Sequence, residues 1–169
     1  MRTELYWVSG PWSGRLAIMP RPRGGDWLED EIQAWLRSGV NVVVSLLTSD
    51  ENADLDLADE AGICRAKGIQ FLPFPITDRG VPSSREALSD LLTKLAEQLA
   101  AGRSIAVHCR QGIGRSALVA LCLLVRSGIG LDAATQRVGA ARGCPVPETV
   151  EQRRWVADFA RSLLTALPK

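Results

Sequence analysis

What this sequence has little of narrows its class before any motif is read. Histidine and tyrosine each occur once, and the four cysteines (Cys64, Cys109, Cys122, Cys144) form no C-x-x-C pair. A structural zinc site needs about four closely spaced ligands of these kinds, so no metal is expected. The longest apolar stretch, Ala117 to Val125, is far shorter than the roughly 20 residues that cross a bilayer. The first ten residues do not read as a leader, because Glu4 interrupts them and no apolar run follows. Net charge is +1, which supplies no global field for nucleic acid or a membrane surface. The expectation is a cytoplasmic protein with reduced thiols and neither a nucleic-acid nor a membrane partner. No repeat, low-complexity tract or long linker divides the chain. A single domain over residues 1–169 is expected, and a hydrophobic fraction of 46% suffices for its core.

What is there alternates strands with helices. Leu5 to Val8 and Leu16 to Met19 read as short strands around a turn-rich segment. Asp26, with Glu29 three residues later, predicts a helix cap, and Leu28, Ile32, Trp35 and Leu36 form one apolar stripe. Val40 to Leu47 is rich in β-branched residues, as in a strand buried on both faces. A helix from about Ala53 to Lys67 and a strand over Ile69 to Phe74 follow. Ser83 and Glu86 predict a capping box for a long helix that buries Leu88, Leu91, Leu92, Leu95 and Leu99. Ser104 to His108 reads as a strand, and Arg115 to Arg126 as a helix apolar almost all round. Asp132 to Arg142 and Glu148 to Leu164 complete the pattern. Such alternation predicts an α/β fold with a central, largely parallel twisted sheet of about four to five strands and helices on both faces. Ligands bind such sheets at the carboxyl ends of the strands.

One such end carries His108-Cys109-Arg110-Gln111-Gly112-Ile113-Gly114-Arg115-Ser116. Gly112 and Gly114 let the loop curl so that successive N–H groups point to one centre, a nest for an anion. The following helix presents its N-terminal dipole and unpaired N–H groups to the same point. Residues 110–115 therefore form a phosphate-binding loop between a strand and a buried helix. The donors that would hold a phosphate also stabilise a thiolate at Cys109, so no separate base is needed. Arg115 can grip two phosphate oxygens at once, which a lysine cannot.

The segment resembles the H-C-x5-R-[ST] signature of the protein tyrosine phosphatase superfamily, and His108, Cys109, Arg115 and Ser116 fill every fixed position. Pro75-Ile76-Thr77-Asp78, the Ala117–Val125 helix and the Pro147–Trp155 stretch look most like the small dual-specificity group, its kinase-associated members in particular. The resemblance implies a cofactor-free phosphatase, expected to be monomeric, that acts on a phosphorylated protein through a phosphocysteine. Phosphotyrosine is the expected substrate, with phosphoserine and phosphothreonine open. Cys109 would be the nucleophile and Arg115 the phosphate clamp.

A general acid must lie outside the helices and reach the nest. Asp78 fits, since it follows a strand and precedes Gly80 in a proline-punctuated loop. Its other reading is a residue that only stabilises a turn. Ser116 would donate to the sulfur and help it leave, or merely start a helix. His108 is expected to brace the loop through buried backbone rather than serve Cys109 as a base, because neighbours on a strand point to opposite faces. Gln152 resembles a glutamine near the water-bearing step, and reads equally as a solvated surface residue. Arg110 and Arg79 would favour acidic substrates or a second phosphate, or be solvated surface arginines. Cys64 is expected on one helical face with Leu57 and Ala61, and is the one partner to test for a disulfide with Cys109. Two other functions stay open: a phosphatase of a non-protein phosphomonoester such as a phosphoinositide, and a phosphoprotein-binding module without turnover.

Overall fold

A computed structural model describes residues 3–166. Within them one sheet runs in the order β1 (Tyr6–Val8), β2 (Leu16–Met19), β5 (Ser104–His108), β3 (Val40–Ser45) and β4 (Gln70–Pro73). β1 pairs with β2 antiparallel, and every other pairing is parallel. β5 lies at the centre, and all five of its residues are buried.

The pleat divides the core in two. Leu16, Ile18, Val42, Val44, Ile105 and Val107 face one way. They pack with the apolar faces of α4 (Arg85–Ala100), α5 (Arg115–Arg126), α6 (Leu131–Arg142) and α7 (Val150–Thr165). Ala17, Met19, Val43 and Ala106 face the other way, towards α1 (Leu28–Arg37) and α3 (Glu60–Ala66). Each fully buried Leu, Ile or Val side chain contributes about 1.5–3 kcal/mol through its removal from water. α5 is buried from Arg115 to Leu124, so it is fixed by packing on every side. Among the described residues, no helix is long and apolar enough to cross a membrane.

Local structure differs from expectation in four places. Asp26 caps nothing: it lies in a tight turn over Gly25–Trp27, and α1 starts after Trp27 without a side-chain cap. Leu36 is exposed, so the buried stripe of α1 is Leu28, Ile32 and Trp35. The helix expected over 53–67 is broken into α2 (Ser49–Asp54) and α3, with Asp56 at φ 56° between them. Contact with the Gly24–Gly25 segment accounts for the break, because the Asp56 carbonyl takes the Gly25 N–H at 3.1 Å. That places Leu57 off the helix that carries Cys64. At the start of α4 the cap is Ser84, whose hydroxyl accepts the Ala87 N–H, so Glu86 stands one position too early to complete a box.

Candidate active site

β5 delivers Cys109 to the carboxyl edge of the sheet, where its side chain is 3% exposed. The chain then curls back, and the Gly112 N–H donates to Cys109 Sγ at 3.3 Å. Gly112 has φ +74°, and a Cβ there would stand 2.7–2.9 Å from the backbone of Met19 and Pro20. Both the turn and the close pass of β2 require glycine at this point. Gly114 precedes α5 with no side-chain cap, which leaves the first amides of that helix for the loop's centre. Arg110, Gln111, Ile113 and Gly114 line a cleft of about 240 Å³ together with Cys109, Arg115, Asp78, Arg79, Glu148 and Gln152.

Arg115 lies under this cleft in a dense set of bonds. Nη1 donates to Glu51 Oε2 at 2.7 Å and to the Ile76 carbonyl at 2.8 Å. Nη2 donates to Glu51 Oε1 at 2.8 Å and to Asp78 Oδ1 at 2.9 Å. Burial opposes the charge on Arg115, but the Glu51 hydrogen bonds and the charges of Cys109, Glu51 and Asp78 outweigh it and raise its pKa above the ordinary value. Burial also opposes the charge on Glu51. The hydrogen bonds from Arg115 and Thr48, with the guanidinium's charge, prevail and bring its pKa down to about 2. The two groups are therefore a fixed ion pair at neutral pH.

The other expected residues are brought to the same place, with corrections. Asp78 is on the loop after β4 and meets Arg115 directly. Ser116 is fully buried at the start of α5, but its hydroxyl finds no partner among the described residues, so the expected bond to sulfur is not made here. The sulfur takes the Gly112 amide instead. His108 braces the loop through Nδ1, 3.3 Å from the Cys109 carbonyl oxygen, and its Nε2 lies 2.6 Å from Glu60 Oε1. Gln152 is fully buried, which removes the solvated reading. Its Oε1 accepts the Thr149 N–H at 3.1 Å in a capping box for α7, and its Nε2 donates to the Gly80 carbonyl at 3.0 Å. Arg110 is half-exposed and 3.5 Å from Glu51, while Arg79 pairs with Glu148 at 2.7 Å. Cys64 packs on the face of the sheet opposite the cluster that holds Cys109.

Three carboxylates of this site escaped the sequence reading. Glu51 had a signal in Thr48-Ser49-Asp50-Glu51, a capping box directly after a buried strand, and the structure makes that box. Its second duty, to Arg115, has no local signature. Glu60 and Glu148 reach His108 and Arg79 across 48 and 69 residues of chain, distances over which periodicity says nothing.

A family model described as "Tc-R-P: Polymorphic toxin system, DSP-PTPase phosphatase" matches residues 17–129. Cyclin-dependent kinase inhibitor 3 of Rattus norvegicus is 28% identical over 132 residues, covering 77% of this chain and 62% of that protein. The Homo sapiens protein of that name is 31% identical over 118 residues, covering 67% of this chain and 51% of its own. The chain thus spans between half and two thirds of the length of these relatives. Among solved structures, kinase associated phosphatase with its catalytic-site cysteine replaced by serine superposes with a TM-score of 0.89 at 21% identity, over 99% of both chains. Tk-PTP in its active form gives 0.77 at 26% identity, over 93% of this chain and 96% of that one.

Proposed function

The chain belongs to the DSP-PTPase phosphatase family, within the dual-specificity group of the protein tyrosine phosphatase superfamily, and from that premise we propose that it hydrolyses phosphorylated protein side chains through a phosphocysteine at Cys109. One observation carries the reading: a buried sulfur that accepts the Gly112 amide shares a cleft with a guanidinium that also holds a carboxylate.

The substrate phosphate settles among the amides of residues 110–115 and against Arg115. A phosphate oxygen takes over the Nη2–H hydrogen bond that Asp78 accepts in the free protein, so the Asp78 carboxylate is freed, takes up a proton from solvent and turns to the leaving oxygen. The Cys109 thiolate attacks phosphorus, the ester P–O bond breaks, and Asp78 gives its proton to the departing oxygen. Water then attacks the phosphocysteine and yields its proton to the Asp78 carboxylate. The S–P bond breaks, inorganic phosphate leaves, and the free Ser116 hydroxyl turns to the departing sulfur. Loop amides and Arg115 meet the charge on the transferring phosphoryl group throughout. The protein acts in this reading as a cytoplasmic monomer, with residues 1–169 as one catalytic domain.

Phosphotyrosine, phosphoserine and phosphothreonine peptides and a phosphoinositide should be offered to the protein and to Cys109→Ser, with orthovanadate as competitor. Phosphate release from a peptide, blocked by vanadate and lost in Cys109→Ser, is the expected result. Turnover that survives in Cys109→Ser refutes nucleophilic catalysis, and release from the lipid alone moves the substrate class. Peptide binding without release makes the chain a binding module.

A further inference from the structure

Asp78 stands on a turn with two tethers besides its own bond to Arg115. Arg79 has φ +59°, a left-handed conformation that residues other than glycine resist. Its Nη1 reaches Glu148 Oε1 at 2.7 Å, and Glu148 belongs to the segment that leads into α7 and lines the same cleft. Gly80 closes the turn through its N–H to the Thr77 carbonyl at 2.8 Å, and its own carbonyl accepts Gln152 Nε2 at 3.0 Å. Gln152 is buried and held at its other end by the capping box, so it is a rigid donor. Backbone held in a disfavoured conformation persists where its surroundings over-determine it. Here both determinants come from the start of α7.

Resting on the reading of Asp78 as the acid, we infer that Arg79, Glu148 and Gln152 are positioning residues that latch the 77–80 turn to α7 and hold Asp78 over the phosphate nest before substrate arrives. The two tethers differ in kind. The ion pair is open to solvent on the Arg79 side, and such pairs bias an equilibrium by a factor of about 1.5 to 5 and weaken with salt. The glutamine bond is enclosed and insensitive to salt. Arg79 has a second effect, since it neutralises a carboxylate that would otherwise face the incoming phosphate. Loss of Arg79 therefore raises KM as well as lowering kcat, whereas loss of Glu148 lowers kcat alone.

The test uses aryl and alkyl phosphates of graded leaving-group acidity with Glu148→Ala, Gln152→Glu and the exchange Arg79→Glu/Glu148→Arg. Gln152→Glu keeps the acceptor that caps α7 and removes the donor to Gly80; the charge it adds to the cleft acts on KM, so the comparison is made on kcat across the leaving-group series. A misplaced acid costs rate where the leaving oxygen needs a proton, so kcat should fall about 2- to 5-fold in Glu148→Ala with the poorest leaving groups, and not with acidic phenols. Gln152→Glu should lose more, and the exchange should restore the rate. Equal loss across the series, or none, overturns the latch. Hydrogen exchange at residues 78–81 is the second measurement, and it should quicken in Glu148→Ala and Gln152→Glu while residues 110–115 keep their rates. If the parent hydrolyses no phosphomonoester, the phosphatase reading fails by itself, and unchanged exchange in the variants rejects the latch independently.

Discussion

Glu51 holds Arg115 with both carboxylate oxygens, at 2.7 and 2.8 Å, and so fixes the plane of the buried guanidinium of the 110–115 loop. The pair links α2 to the first residue of α5, so the guanidinium is aimed by a different part of the chain from the part that supplies it.

Glu51→Gln should therefore damage both stability and turnover. The carboxyl pKa falls on folding, from 4.5 to about 2. Its contribution is complete above pH 4.5 and is lost as pH drops through about 2. At one pH unit per 1.36 kcal/mol, the variant should be less stable than the parent by about 3 kcal/mol at pH 7. Denaturant titrations from pH 7 to 2 should show the gap closing at the acid end. A gap that stays constant to pH 2 would contradict the assignment. A tilted guanidinium should also lower kcat/KM on the order of 100-fold.

Gly112→Ala combines a positive φ with a backbone collision. The left-handed conformation alone costs about 1–2 kcal/mol for a residue with a Cβ. The Met19 and Pro20 backbone atoms at 2.7–2.9 Å cannot step aside as a side chain would. The loop should move instead, with the sulfur losing its amide and phosphate turnover falling below detection while the fold persists. Circular dichroism beside a phosphate-release assay checks both halves.

Glu60→Ala leaves a buried imidazole nitrogen of His108 without its carboxylate. An unpaired buried polar group costs about 1–3 kcal/mol, so thermal stability should drop by that amount. Catalysis should suffer less than in Glu51→Gln, because His108 supports the loop from below and does not face the cleft. Parallel melting curves and kcat measurements on the two variants would expose the opposite ranking.

Thiol chemistry should separate Cys109 from the deeply buried Cys64 and Cys122. Burial pushes the Cys64 thiol up to about 12, reinforced by the nearby Glu60 charge, and burial likewise raises Cys122. Iodoacetamide at neutral pH should modify Cys109 and leave both of these intact, and orthovanadate should protect it. Mass spectrometry that finds Cys64 or Cys122 alkylated first in the folded protein would contradict this. The same burial, with Cys64 on the far face of the sheet, argues against a disulfide between Cys64 and Cys109.

The parts legible from sequence were those with local causes. The β-branched run at Val40, the apolar α5 and Gly112 of the loop each declare their conformation within a few residues, and the structure forms each of them, whereas Gly114 keeps a negative φ of −111°. The break between α2 and α3 was hidden because it depends on Gly25, some thirty residues earlier, docking on Asp56. The cap of α4 shifted by one residue because Ser83 and Ser84 offer the same hydroxyl, and the choice rests on the path of the preceding loop. At the site, Cys109, Arg115 and Asp78, which the structure brings to one cleft, could be picked out as candidates because their chemistry constrains residue type. Glu51, Glu60 and Glu148 could not, since a carboxylate that serves a distant arginine or histidine looks like any surface acid until the chain is folded.

The central place of β5 divides labour within the molecule. The sulfur hangs from the strand with neighbours on both sides, whereas the residues around Asp78 and Glu148 belong to connecting segments at the rim. Under the proposed mechanism, changes in those segments would retune which alcohol is released without moving the sulfur. In the proposed mechanism the choice of target and the position of the sulfur are thus set by separate parts of the chain.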